Sequence, residues 1–172
     1  VEAFPDSADA PYQLGRELFD AGRLREAKVH FEQALALAPD LLPARIILGV
    51  LLGDQGNLSG ARTNFEYALR IDPRNAEVHN DLGMAFDGQG DLAQAKLHLE
   101  LAAAIDPQYA LAENNLGIVL AKLGDLTPAR VHHERAVRIA PDFADAHYQL
   151  GVTMIRQGDL TGHQKPDAQG QH

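Results

Sequence analysis

Apolar residues along this chain recur at spacings of three and four, the period of an α-helix, and the spacing resets at regular intervals. Leu-Gly occurs at Leu14-Gly15, Leu48-Gly49, Leu82-Gly83, Leu116-Gly117 and Leu150-Gly151, so each step is 34 residues. A second glycine follows each pair at Gly22, Gly56, Gly90, Gly124 and Gly158. Ala27, Ala61, Ala95 and Ala129 keep the same step, as do Ala34, Ala68, Ala102 and Ala136, and Pro39, Pro73, Pro107 and Pro141. Columns held in register through four or five copies indicate a tandem repeat, in which each unit buries its apolar face against the next.

Each column has a physical meaning. The later glycine ends a first helix, because a left-handed residue closes a helix C-terminus without a Cβ penalty. The proline ends a second helix, lacking an N–H and restricting the residue before it. The small residues let two helices approach closely, and the glycine after each leucine leaves room for a neighbouring side chain. Thr127-Pro128 reads as an N-cap followed by proline at the first helical position, and Asn75 and Asp142 as caps of the helices after them. The pattern predicts repeats at 8–41, 42–75, 76–109 and 110–143, then a half-repeat at 144–159 whose single helix, 144–157, caps the array. Residues 1–7 read as the end of a preceding repeat or a tail. Pro11 places the start of the first helix near Ala10. His163 and Pro166 break the pattern, so 160–172 is expected to be a mobile tail.

Six of these columns, clearest over 76–109 with Leu82, Gly83, Phe86, Gly90, Ala95, Leu99, Ala102 and Pro107, resemble the tetratricopeptide repeat family. The resemblance spans roughly residues 8 to 160. It implies an all-α solenoid: antiparallel helix pairs stacked into a right-handed superhelix with a concave inner face. The family's inward positions on the first helices would fall at Tyr12 and Gln13, Ile46 and Ile47, Asn80 and Asp81, Asn114 and Asn115, and Tyr148 and Gln149. One turn further they fall at Arg16, Val50, Met84, Ile118 and Val152. An amide-rich stripe thus runs beside an apolar one. Amides both donate to and accept from a peptide backbone, and apolar residues hold its side chains. The resemblance therefore implies a non-enzymatic scaffold that binds a protein or extended peptide, centred on Asn80, Asp81, Met84, Asn114, Asn115 and Ile118. Only Arg16 offers a cation at these positions, unlike the subgroup that clamps C-terminal carboxylates.

Composition narrows the alternatives. The net charge of −9 argues against nucleic acid as a partner and suits a basic or neutral protein. No apolar run is long enough to insert in a membrane. The absence of cysteine removes disulfides, thiolate nucleophiles and cysteine-based zinc sites. The eight histidines raise the question of a metal. His30, His98 and His132 share one repeat position with Asn64, expected near the outward face of the second helices. Copies about 10 Å apart cannot share one ion. His132 and His133 are expected on different faces. Gly88-Gln89-Gly90 and Gly53-Asp54-Gln55-Gly56 lack the strand and lysine of a phosphate loop. No metal, cofactor or catalytic residue is therefore expected. Two other readings stay open: head-to-tail self-assembly through the mutually similar terminal segments, giving rings or filaments, and a recognition module of a larger enzyme.

Overall fold

A computed structural model describes residues 7–161, and those residues form an all-α repeat solenoid. Nine helices lie among them: α1 (Asp9–Asp20), α2 (Leu24–Leu37), α3 (Leu42–Asp54), α4 (Leu58–Ile71), α5 (Ala76–Gly88), α6 (Leu92–Ile105), α7 (Ala110–Leu123), α8 (Leu126–Ile139) and α9 (Ala144–Thr161). The chain divides into two compact units, the first ending at Ile105 and the second starting at Asp106. In the first unit α1 pairs with α2, α3 with α4 and α5 with α6. There α2 also packs on α3, and α4 on α5. In the second, α7 pairs with α8, and α9 covers α8 and part of α7.

The glycine column works as the spacing predicts through four copies. Gly22, Gly56, Gly90 and Gly124 have φ of 74°, 76°, 81° and 90°. Behind each, the next amide reaches back to a carbonyl of the last helical turn. Arg23 N–H bonds Leu18 O at 2.8 Å, Asn57 bonds Leu52 at 2.8 Å, Asp91 bonds Phe86 at 3.0 Å and Asp125 bonds Leu120 at 2.9 Å. These bonds satisfy carbonyls that the helix end orphans. Gly158 differs, because it lies inside α9, which runs on to Thr161 rather than stopping at Gln157. Leu160 and Thr161 are therefore helical, not tail. The expectations for residues 1–6 and 162–172 fall outside the described residues.

The caps differ in part. Asn75 accepts from Val78 N–H at 3.0 Å, and Asn57 likewise from Gly60 N–H at 3.0 Å. Thr127 is not a cap, since α8 begins at Leu126 and Pro128 sits in its first turn. Proline is harmless there because the first four N–H groups have no intrahelical acceptor. Asp142 lies one residue ahead of Phe143, which directly precedes α9.

The core is built from the repeated columns. Ala27, Ala61, Ala95 and Ala129, and Ala34, Ala68, Ala102 and Ala136, are all fully buried. In the first four copies the glycine after the leucine faces one large side chain on the partner helix, whereas Gly151 has open space around it. A Cβ placed there would stand 2.9 Å from Phe31 at Gly15, 2.5 Å from Phe65 at Gly49, 2.7 Å from Leu99 at Gly83 and 2.5 Å from His133 at Gly117. Each such seat buries a side chain worth about 1.5–3 kcal/mol when it is apolar. In the fourth seat the occupant is an imidazole.

Candidate functional site

Of the fifteen positions expected from sequence to face inward, three converge. Val50 on α3, with Asp81 and Met84 on α5, line a hollow of 230 Å³ within the first unit. The hollow lies between these two first helices, and α4 forms its floor with Leu58, Ala61 and Phe65. Ala85, Gly49 and Gly53 complete an apolar wall, and Asp54 joins Asp81 as a second carboxylate. Phe65 is held there by its seat on Gly49, so the packing glycine also shapes the hollow. Asp81 Oδ1 accepts from Asn80 Nδ2 at 3.1 Å. Burial pushes the Asp81 carboxyl above its ordinary range, the Asn80 bond opposes this, and the charges of Glu77 and Asp54 add to the rise.

The other expected positions divide by burial. Ile46 and Ile47 are half-buried, and Gln13 and Arg16 are exposed. Tyr12 is half-buried with its ring 6.1 Å from that of Phe31. Asn80 is 2% exposed, Asn115 7% and Asn114 not at all, so the central amides offer a partner little surface. Asn114 is committed internally. Its Nδ2 donates to Asp145 Oδ2 at 2.7 Å, which leaves Oδ1 to accept from His133 Nδ1–H at 3.1 Å. The amide stripe expected at this point is thus a hydrogen-bonded part of the helix packing. Ile118, Gln149 and Val152 are half-buried, and Tyr148 stands exposed.

Three of the four residues at the shared histidine position face inward rather than outward. Asn64 is buried, and His30, His98 and His132 are half-buried. Asn64, His98 and His132 turn toward the first helix of their own pair, because their position lies on the inner flank of the second helix. Arg45 Nη1 reaches Asn64 Oδ1 at 3.4 Å, His79 Nδ1 lies 3.1 Å from His98 Nδ1, and His132 Nδ1 lies 2.6 Å from Glu113 Oε2. A recurring latch accompanies these pairs. Arg45 Nε donates to Pro39 O at 3.0 Å, His79 Nε2 to Pro73 O at 3.2 Å and His147 Nε2 to Pro141 O at 2.9 Å. That latch makes His79 Nδ1 an acceptor, so His98 Nδ1 carries the proton between them. Glu113, at the corresponding position, pairs with His132 and with Arg135 instead, the latter at 3.7 Å. A sequence signal for the latch exists in the polar donors six residues after three of the prolines. Among the described residues no three His, Asp or Glu side chains are disposed to hold a metal ion. No helix among them is long and apolar enough to cross a membrane.

A second, shallower depression is lined by Asp40, Tyr67, Arg70 and Ile71. Tyr67 donates its hydroxyl to Asp40 at 2.7 Å, with the Arg45 and Arg70 guanidiniums 3.9 and 4.4 Å from its ring centre. These contacts tie α4 to the turn before α3 and consume the polar groups present.

Comparison with known proteins agrees with this architecture. Profiles of the tetratricopeptide repeat match residues 9–41 and 80–142, and a TPR repeat profile matches 49–90. No curated protein matches the sequence significantly. Among solved structures, MamA is 24% identical, with 84% of each chain covered and a TM-score of 0.77. PilF of Pseudomonas aeruginosa is 24% identical over 90% of this chain and 70% of its own, also with a TM-score of 0.77. YrrB, described as a TPR protein with an unusual peptide-binding site, is 23% identical over 91% and 80%, with a TM-score of 0.76. At these identities the likeness establishes the fold.

Proposed function

Because the chain belongs to the tetratricopeptide repeat family, we propose that it is a non-catalytic protein-interaction scaffold whose docking face includes the hollow between α3 and α5. The observation that carries this reading is the convergence of Val50, Asp81 and Met84, chosen from sequence as inward positions, on one concave, mostly apolar depression. Support also comes from solved proteins of this fold. YrrB is described by its peptide-binding site, and the first TPR domain of Spaghetti, 20% identical with a TM-score of 0.66, is described as bound to an HSP90 peptide. In this reading the half-buried Ile46, Ile47 and Val50 supply apolar contact, and the buried amides hold the helices that present them.

The test is selection of peptides from a random display library against the purified chain, followed by titration into Val50→Ala with Met84→Ala. Selected peptides should bind the double variant at least tenfold more weakly while its circular dichroism is unchanged. Peptides that bind parent and variant equally would remove the hollow from the docking face.

A second reading has one specific support. Helix α9 exposes Tyr148 at 65%, Met154 at 47% and Ile155 at 67%, apolar surface of the kind that marks contacts with another chain. Self-association through this helix should appear as a mass that rises with concentration in light scattering and falls back in Ile155→Glu. A constant monomer mass would end it.

A further inference from the structure

We propose that the hollow between α3 and α5 is a site for one long cationic side chain, lysine or arginine, of a partner polypeptide. The inference rests on the reading of this face as a docking surface and assigns it a ligand chemistry.

Shape and charge point the same way. The 230 Å³ of space equals about eight water volumes, room for the five side-chain heavy atoms of lysine or the seven of arginine. Val50, Phe65, Met84 and Ala85 provide apolar walls for a methylene stem. Asp54 and Asp81 provide carboxylates for its head, and the lining contains no lysine, arginine or histidine. An anionic side chain would meet Asp54, Asp81 and the nearby Glu77, so repulsion excludes it. A purely apolar side chain would fit the walls but would dry the Asp81 carboxylate further without compensation. A cation relieves that cost, because an opposite charge favours the ionised carboxylate that burial disfavours. The net charge of −9 attracts the same partners at longer range.

The chain has two methionines, which makes the test direct. Met84 lines the hollow and Met154 lies exposed on α9, so a methyl spectrum of ¹³C-methionine-labelled protein carries one reporter and one control. The probes are capped pentapeptides with two alanines on each side of a central lysine, arginine, norleucine or glutamate. The lysine and arginine peptides should shift Met84 saturably, leave Met154 in place and weaken as salt is raised. Norleucine, which keeps the stem and lacks the charge, should bind at least tenfold more weakly, and glutamate should not bind. Asp54→Asn with Asp81→Asn should abolish the difference between lysine and norleucine. If norleucine matches lysine in the unaltered protein, the cation chemistry is overturned while the docking surface stands. The proposal also fails if lysine binds the double variant as tightly as the parent, or if no peptide moves Met84. In that last case the display-selected peptides decide the docking surface separately.

Discussion

His133 shows how one residue can alter a repeated solution. Its seat on Gly117 is taken by Phe31, Phe65 and Leu99 in the other copies. The Asp145–Asn114–His133 chain of bonds fixes the proton on Nδ1, and Nε2 lies buried with no partner. Adding a proton there would bury an unpaired charge. Burial accordingly pushes the imidazole down to about 4, with Asp145 opposing and His132 assisting. Between the ordinary value of 6.5 and about 4 the unfolded chain binds the proton and the folded chain does not. Stability is therefore intact above 6.5 and falls as pH drops through that window, by on the order of 3 kcal/mol. His98, lowered by burial and by His79, adds a loss of the same sign. His133→Phe alone should lower stability at pH 7.5 by about 1–3 kcal/mol, because Asn114 Oδ1 loses its donor in a fully buried place. His133→Phe with Asn114→Ile reproduces the residues at the equivalent positions, Phe65 and Ile46. It should recover that loss and shrink the acid destabilisation between pH 7.5 and 5. Urea titrations at the two pH values measure this, and an undiminished acid loss would count against the assignment. Asp81→Asn carries a separate expectation. Removing a carboxylate whose ionisation burial disfavours should leave the melting temperature equal or higher, and a clear drop would show that the carboxylate supports the fold.

At the scale of the helix, three glycines close in sequence do three different jobs. Gly49 lies where an added Cβ would sit 2.5 Å from the Phe65 ring, so Gly49→Ala should cost about 1–3 kcal/mol through overpacking. Gly53 has only the Ala61 Cβ nearby, at 3.8 Å, and Gly53→Ala should stabilise α3 by up to about 1 kcal/mol. Gly56 has open space around it but a φ of 76°, so Gly56→Ala should cost about 1–2 kcal/mol from backbone conformation alone. Thermal or chemical denaturation of the three variants ranks them. Equal effects would mean that the distinction between packing, propensity and backbone conformation is wrong. The same helix end explains α9. Gly158 lies within the helix, so a glycine in the right column is insufficient to stop a helix when its neighbours do not turn the chain.

Within each of the two units, a helix touches mainly its neighbours in sequence. Stability in such an array is a sum of local and nearest-neighbour terms. Gly49→Ala should therefore lower hydrogen-exchange protection in α3 and α4, less in α2 and α5, and leave α8 as protected as in the parent. Uniform loss across all helices would show that the described chain unfolds as one cooperative body.

Helix number, the glycine-closed helix ends of the first four copies and the packing columns were legible in the sequence because they rest on local rules repeated every 34 residues, whereas the start of α8 and the end of α9 were not. Gly56 needs a left-handed turn and Ala61 a close approach, as do their equivalents throughout the first four copies. The hollow was legible only in part. Val50, Asp81 and Met84 were placed together from their register, but register cannot tell an exposed inward position from a buried one. Asn114 was read as a contact, and tertiary packing made it a link between Asp145 and His133. Asp54 and Phe65 were missed because they join the hollow from another helix turn and another helix. Burial and cavities depend on which side chains from separate elements meet, and a single sequence holds that information only through the fold. Thus the repeat and its helical solenoid were determined by the sequence alone. The hollow, its two carboxylates and the neutral imidazole beneath Gly117 were decided by the tertiary structure, where side chains distant in sequence compete for the same space and the same protons.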